Sequence, residues 1–152
     1  MKYTNLVLAA LLGFTALSAK ADVASAEKME KLYTTIAKSV TPTYAGPNAE
    51  AGKEFYNRKI TQFKGNTKDN KEVACASCHT ANPADKGKHI VTGKSIKPLS
   101  PVVNDKRFSD LDKVEDKFTK HCNEIIGADC KPEEKADFIA YLLTESTPSA
   151  KK

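Results

Sequence analysis

Residues 75–79 read Cys-Ala-Ser-Cys-His, and this short segment constrains the chain more than any other. Two thiols three positions apart, followed at once by an imidazole, form the attachment pattern of a c-type haem. Both sulfurs bond covalently to the haem, and the histidine reaches the iron from the same turn. A chain built on this segment has to fold around a flat apolar group. The second axial position is less obvious. Methionine occurs only at Met1 and Met29, so no residue after Cys78 offers the thioether of His/Met-ligated haems. His121, His89 and, more remotely, Asn104 remain, with a vacant position as the last alternative.

The N-terminus supplies a compartment. Lys2 precedes a twelve-residue apolar run from Leu6 to Leu17, and Ala19-Lys20-Ala21 has the form of a cleavage site. This reads as a secretory signal peptide over residues 1–21, cleaved after Ala21, with a retained N-terminal anchor as the bland alternative. The run is shorter than the ~20 residues a bilayer span needs, so the mature chain, residues 22–152, is expected to carry no membrane anchor. An oxidising periplasm suits both haem attachment and disulfides. Removing residues 1–21 removes Lys2 and Lys20 and no acid, which leaves 22 bases against 19 acids, a formal +3. Two haem propionates bring the total close to neutral. No run of five or more bases occurs, so nucleic-acid binding has no electrostatic footprint. One domain of this length holds a single core.

The pattern along the chain is helical. Met29, Leu32, Tyr33, Ile36 and Val40 fall at helical spacing and predict an amphipathic helix over 25–39. Asn48 is an N-cap candidate for a helix over about 49–58, and residues 64–71 form a polar turn before the motif. From Asn82 to Asn104, Pro83, Gly87, Gly93, Pro98 and Pro101 exclude a helical period and predict a long irregular loop, suited to wrapping a haem edge. Helix resumes near Asp110, with Leu111, Val114, Phe118, Cys122 and Ile125 on one face, and stops at Gly127. Pro132 opens a last helix to about Thr144, followed by a loose tail from Ser146. Strand signals are weak throughout.

Four cysteines divide into two jobs. Cys75 and Cys78 are consumed by haem, which leaves Cys122 and Cys130 as an even pair in a secreted protein. On one straight helix their Cα atoms would stand about 12 Å apart. A disulfide needs about 7 Å or less, so the chain must reverse between them, and Gly127 lies in that interval. Zinc is the rival reading, but the second pair lacks the Cys-x-x-Cys spacing of a knuckle. A thioredoxin-like redox pair would want a βαβ pattern around Cys75, which is missing.

His121 directly precedes Cys122, next to core-like Phe118 and Ile125, and is expected at or near the buried face. An isolated histidine is ordinarily a surface or hydrogen-bonded residue; an iron in need of a ligand changes that balance. His89, between Lys88 and Ile90, reads as a solvated loop residue.

At this point the chain resembles the cytochrome c double-prime family, related to the Sphaeroides haem protein group of class I c-type cytochromes. The likeness covers essentially the whole mature chain. It rests on residues 75–80 (Cys75 to Thr80), Ile90-Val91-Thr92-Gly93-Lys94, Lys106-Arg107-Phe108 and the stretches from Val114 to Asn123, Gly127 to Cys130 and Phe138 to Leu143. The resemblance implies an all-α, class I cytochrome c fold with an additional N-terminal helix and one covalent haem c. It implies that the Gly52–Tyr56 turn crosses the last helix near Phe138 and Tyr141. It further implies His79 as proximal ligand, His121 as distal ligand of the oxidised iron, and a Cys122–Cys130 disulfide. The oxygen-binding members of the group carry asparagine where this chain has His121.

Two function classes follow. The first is a periplasmic, monomeric electron carrier, not an enzyme, that exchanges electrons with redox partner proteins. The resemblance implies that its distal histidine is released on reduction, with linked proton uptake. The second is a gas-binding or sensing haem protein, or an enzyme handling oxygen or nitric oxide, using a vacant ferrous position for O2, NO or CO.

Overall fold

The computed structural model describes residues 16–60 and 72–150, with side chains of the first helix described from Asp22 onward. Residues 1–15 and the polar turn at 64–71 lie outside the described residues. The elements are α1 (Ala16–Val40), α2 (Ala49–Asn57), α3 (Cys75–His79), α4 (Leu111–Ile125) and α5 (Pro132–Thr144), with a small hairpin of β1 (Gly87–Lys88) and β2 (Ser95–Ile96). No described helix is long and apolar enough to cross a membrane.

The last helix organises the rest. α5 begins with Pro132 at its first turn, and the Glu134 carboxylate accepts from the Lys131 amide at 2.9 Å, which satisfies a donor the helix itself cannot. Phe138, Ile139, Tyr141 and Leu142 are all buried because α1 and α2 both pack against α5. Burying a side chain such as Ile139 or Leu142 contributes about 1.5–3 kcal/mol. α2 is capped by Asn48, whose Oδ1 accepts from Glu50 N at 2.9 Å and Ala51 N at 3.1 Å. It crosses α5 at Gly52, whose bare Cα sits against the Asp137 carbonyl and Tyr141 Cβ. One turn on, Tyr56 stacks on Tyr141 and Phe138, as the family resemblance implied.

α1 corrects the sequence reading twice. The helix extends further toward the N-terminus than residue 25 and passes through the predicted cleavage point. Its buried stripe is Ala26, Met29, Tyr33 and Ala37, whereas Leu32, Ile36 and Val40 are exposed. Two alanines allow α1 to lie close along α5, and that close approach turns the larger aliphatics outward.

The loop after the motif also differs. It contains a short antiparallel hairpin with Gly87 opposite Ile96 and Lys88 opposite Ser95. Its turn is built from local polar chemistry that a strand pattern does not reveal: Gly93, at φ +69°, donates to His89 O, and His89 Nδ1 accepts from the amides of Val91 and Thr92. The tail is not loose as far as residue 150. The Asn82 amide donates to Thr147 O at 2.9 Å, and Ser149 N donates to the Asp85 carboxylate at 2.7 Å. Both anchors sit just after the haem motif, so the tail is tied to the segment that follows it.

Candidate functional site

α3 is a single turn held by its own ends. Ser77 Oγ accepts from Ala74 N at 3.0 Å, while Ser77 N donates to Ala74 O at 3.0 Å. An antiparallel bridge between Ile60 and Val73 fixes the chain as it enters that turn. Cys75, Cys78 and His79 stand at i, i+3 and i+4, so all three project from one face. Both thiols are free, and burial pushes the Cys75 thiol up to about 11.

The helix stops at Thr80, whose φ of +67° is unfavourable for a β-branched residue. Two bonds hold it there: the Tyr56 hydroxyl donates to Thr80 O at 2.6 Å, and Thr80 Oγ1 donates to Asn82 O at 2.8 Å. The α2–α5 crossing thereby fixes the residue next to His79. Gly87 closes the other flank, its Cα lying against the Cys78 carbonyl.

The imidazole of His79 is held neutral. Burial above all, with smaller contributions from the positive charges of Arg107 and His121, pulls its pKa down to about 4. Neutral imidazole is the form that ligates a metal. Arg107 reaches this neighbourhood because its guanidinium is anchored on Pro98 O and Lys97 O, both at 2.9 Å. The buried Asp22 carboxylate accepts from Phe108 N at 2.8 Å and clamps the same loop.

α4 is capped by Asp110, which accepts from Lys113 N at 3.1 Å, and ends in a reversal at Gly127, φ +84°. Cys122 and Cys130 are bonded there, with Cα atoms 5.5 Å apart. That bond removes both sulfurs from the donor set a zinc site would need. No cluster of three His, Cys, Asp or Glu donors forms among the described residues. His121 departs from the expected buried face. Its side chain is 49% exposed, with Nδ1 3.4 Å from Glu124 Oε2. It lies one position, about 100° around the helix, from buried Cys122. Burial of the imidazole lowers its pKa, and Glu124 opposes that shift.

The other candidate ligands are engaged elsewhere. His89 Nδ1 serves the hairpin turn, and Asn104 donates to Pro98 O at 2.8 Å. Sequence reasoning placed Tyr56 at the crossing with the last helix and counted Thr80 and Arg107 among the stretches that carry the resemblance, but assigned none of them its contact in the site. The Tyr56–Thr80 bond joins residues 24 apart, which no local pattern encodes.

A family model described as "Domain of unknown function (DUF1924)" matches residues 42–142. Cytochrome c'' of Methylophilus methylotrophus is 63% identical over 131 residues, covering 86% of this chain and 88% of that protein. The chain belongs to the cytochrome c'' family. The crystal structure of oxidised cytochrome c'' from that organism superposes with a TM-score of 0.76 at 61% identity, over 84% of this chain and 99% of that one. More distant is the cytochrome c-type protein SHP of Cereibacter sphaeroides, 37% identical over 66% of this chain and 74% of its own length. The structure of oxidised SHP, an oxygen-binding cytochrome c, gives a TM-score of 0.66 at 33% identity, over 78% of this chain and 96% of that one.

The fold is the all-α cytochrome fold, and the cofactor of a monohaem c-type cytochrome of this family is haem c. The residues fit that group: two thiols and a neutral imidazole share one face of a short turn, fixed by the Tyr56–Thr80 bond and by the close approach of Gly87.

Proposed function

We propose that the protein is a periplasmic electron carrier whose distal histidine switches with oxidation state. When bound, the haem supplies the one-electron couple, and the chain tunes it. Cys75 and Cys78 hold the group covalently, and His79 serves as proximal ligand. His121 serves as distal ligand in the ferric state and is released on reduction.

The observation that carries this reading is the position of His121 on α4, half exposed and beside a carboxylate of its own helix. Its Nδ1 lies 3.4 Å from Glu124 Oε2. A released imidazole turned toward that carboxylate gains a reason to take up a proton, because nearby negative charge favours the imidazolium. A ligated imidazole has no free lone pair for that proton. Electron uptake and proton uptake are then reciprocally linked.

The sign follows directly. The extra proton belongs to the reduced state, so the midpoint potential falls as pH rises. It falls by up to about 59 mV per unit for a one-electron couple. The slope is steepest below the pKa of the released imidazole, which burial draws under the ordinary histidine value, and flattens above it. A potential independent of pH from 5 to 8 would refute the coupling. Absorption spectra test the switch itself: ferric protein is low-spin, ferrous protein is high-spin and binds carbon monoxide. Six-coordinate spectra in both states would leave a plain carrier.

A second reading, gas binding at the released position, is favoured by the likeness to a protein described as an oxygen-binding cytochrome c. It requires a stable ferrous adduct with oxygen, whereas a carrier is simply reoxidised. We further propose that the mature chain begins at Asp22, lacks a membrane anchor and acts as a monomer.

A further inference from the structure

We propose that the β1–β2 hairpin is the docking surface for an acidic redox protein; this rests on the electron-carrier reading. The charge distribution is the first argument. Residues 86–107 contain Lys86, Lys88, Lys94, Lys97, Lys106 and Arg107 against the single acid Asp105. That is a formal +5, as large as the +5 of the entire chain. The five lysines are all exposed, and none forms an ion pair among the described residues.

The register sharpens the point. With Gly87 opposite Ile96, one step outward places Lys86 across from Lys97. Like charges directly opposite each other destabilise a strand pair, so this arrangement does nothing for the fold. Arg107 adds a third cation beneath it, bound to the Lys97 carbonyl at 2.9 Å. At the tip, Ile90 and Val91 are 41% and 48% exposed, and Lys88 and Lys94 flank them along the chain. That is the anatomy of a small transient interface: apolar contact in the middle, steering charge around it.

Position supplies the second argument. The Gly87 Cα abuts the Cys78 carbonyl, and a Cβ there would stand 3.0 Å from His79 Cα. The hairpin therefore springs from the backbone that carries the haem thiols and the proximal ligand. A partner covering the hairpin sits beside the redox centre. Anionic lipid could match the charge, but membrane-surface anchors rely on aromatic residues, and residues 86–97 hold none.

Stopped-flow oxidation of the ferrous holoprotein tests this, with an acidic blue-copper protein as probe and ferricyanide as a small-molecule control. For the unmodified chain, the rate with the copper protein falls steeply as salt rises. Lys86→Glu/Lys97→Glu lowers that rate about tenfold at low ionic strength and flattens its salt dependence, within the range of electrostatic steering. Lys31→Glu/Lys38→Glu on α1 makes the same change in net charge and leaves the rate within about twofold. Spectra and midpoint potential stay unchanged in both, which excludes misfolding. Equal losses in the two double variants, or none in either, would overturn the assignment. So would hairpin-dependent binding to phosphatidylglycerol vesicles with an unaltered copper-protein rate. Failure of the carrier reading looks different: the ferrous holoprotein would then hold a stable adduct with oxygen, whichever hairpin variant is used.

Discussion

Replacing Gly52 by alanine sets two opposing effects against each other at the crossing that holds the motif loop. Alanine is favoured over glycine inside a helix by about 1 kcal/mol, and Gly52 lies in the middle of α2. Against this, a Cβ at residue 52 would overlap the Asp137 carbonyl and stand 2.9 Å from Tyr141 Cβ. Both neighbours belong to the framework of α5 and cannot rotate away, so α2 itself must move. Overpacking typically costs about 1–3 kcal/mol, and a backbone obstacle puts the cost at the upper end. The net is about 2 kcal/mol of destabilisation. For a domain of this size that is a fall in Tm of about 8 °C. Thermal unfolding of the holoprotein by circular dichroism measures it. A shift of α2 also draws the Tyr56 hydroxyl from Thr80 O, a bond of 2.6 Å. Tyr56→Phe should then cost less in the Gly52→Ala background than alone, a non-additivity expected only of coupled sites. A Tm that rises in Gly52→Ala would show that propensity wins, and the close crossing described above would be wrong.

Four further outcomes are expected. His121→Ala changes the ferric absorption spectrum from low-spin toward high-spin; an unchanged ferric spectrum removes His121 as the distal ligand. Cys122→Ser/Cys130→Ser lowers stability by about 2.5 kcal/mol in chemical denaturation, the chain-entropy value for so small a loop, and a loss well under 1 kcal/mol would contradict it. The Lys135 ammonium, with its side chain only 10% exposed, pairs at 2.6 Å with Glu115, which is 45% exposed. Removing the carboxylate strands the buried cation, so Glu115→Gln costs about 2 kcal/mol, while Lys135→Met leaves a solvated acid and costs less than about 1; the reverse order in urea midpoints would refute the argument. Burial raises the phenol pKa of Tyr44, Tyr56 and Tyr141, the last from 10.0 up to about 12. The folded state therefore holds these protons more tightly, so their contribution is intact below pH 10 and is lost as pH rises toward 12, read as a falling urea midpoint.

Helix positions were legible because each leaves a local mark. Asn48, Asp110, Gly127 and Pro132 are capping or reversal signals, and all four act at the ends of helices in the structure. Periodicity failed on α1, where it could not tell which of two apolar stripes meets α5; small Ala26 and Ala37 won over larger Leu32 and Ile36. The hairpin escaped notice because strands of two residues have no period, and its turn is specified by His89 and Gly93 instead. The thiols and the proximal imidazole announced themselves through spacing. The side chains that shape their surroundings did not: Tyr56 acts on Thr80 from 24 residues away, and the tail reaches Asp85 from 64.

The anchoring of α4 bears on how a distal ligand could come and go. Its N-terminus is capped by Asp110, its middle is tied to α5 through Glu115 and Lys135, and its last turn is bonded through Cys122 to Cys130. Phe118, one turn before His121, meets Tyr33 and Phe138 edge-on at 5.8 and 5.7 Å. The cap is internal to the helix, and the other three contacts tie it to its neighbours, which limits its freedom to swing as a body. The His121 side chain is different: half exposed, its imidazole is paired, among the described residues, with a carboxylate of its own helix. Release on reduction, in the mechanism proposed above, is therefore a change of side-chain torsion over a fixed backbone. Such a motion turns the imidazole toward Glu124 without unpacking the core. It follows that Glu124→Gln weakens proton uptake in the reduced state and flattens the pH dependence of the potential, while leaving ferric ligation intact. A potential whose pH dependence is the same with and without Glu124 would instead place the proton elsewhere.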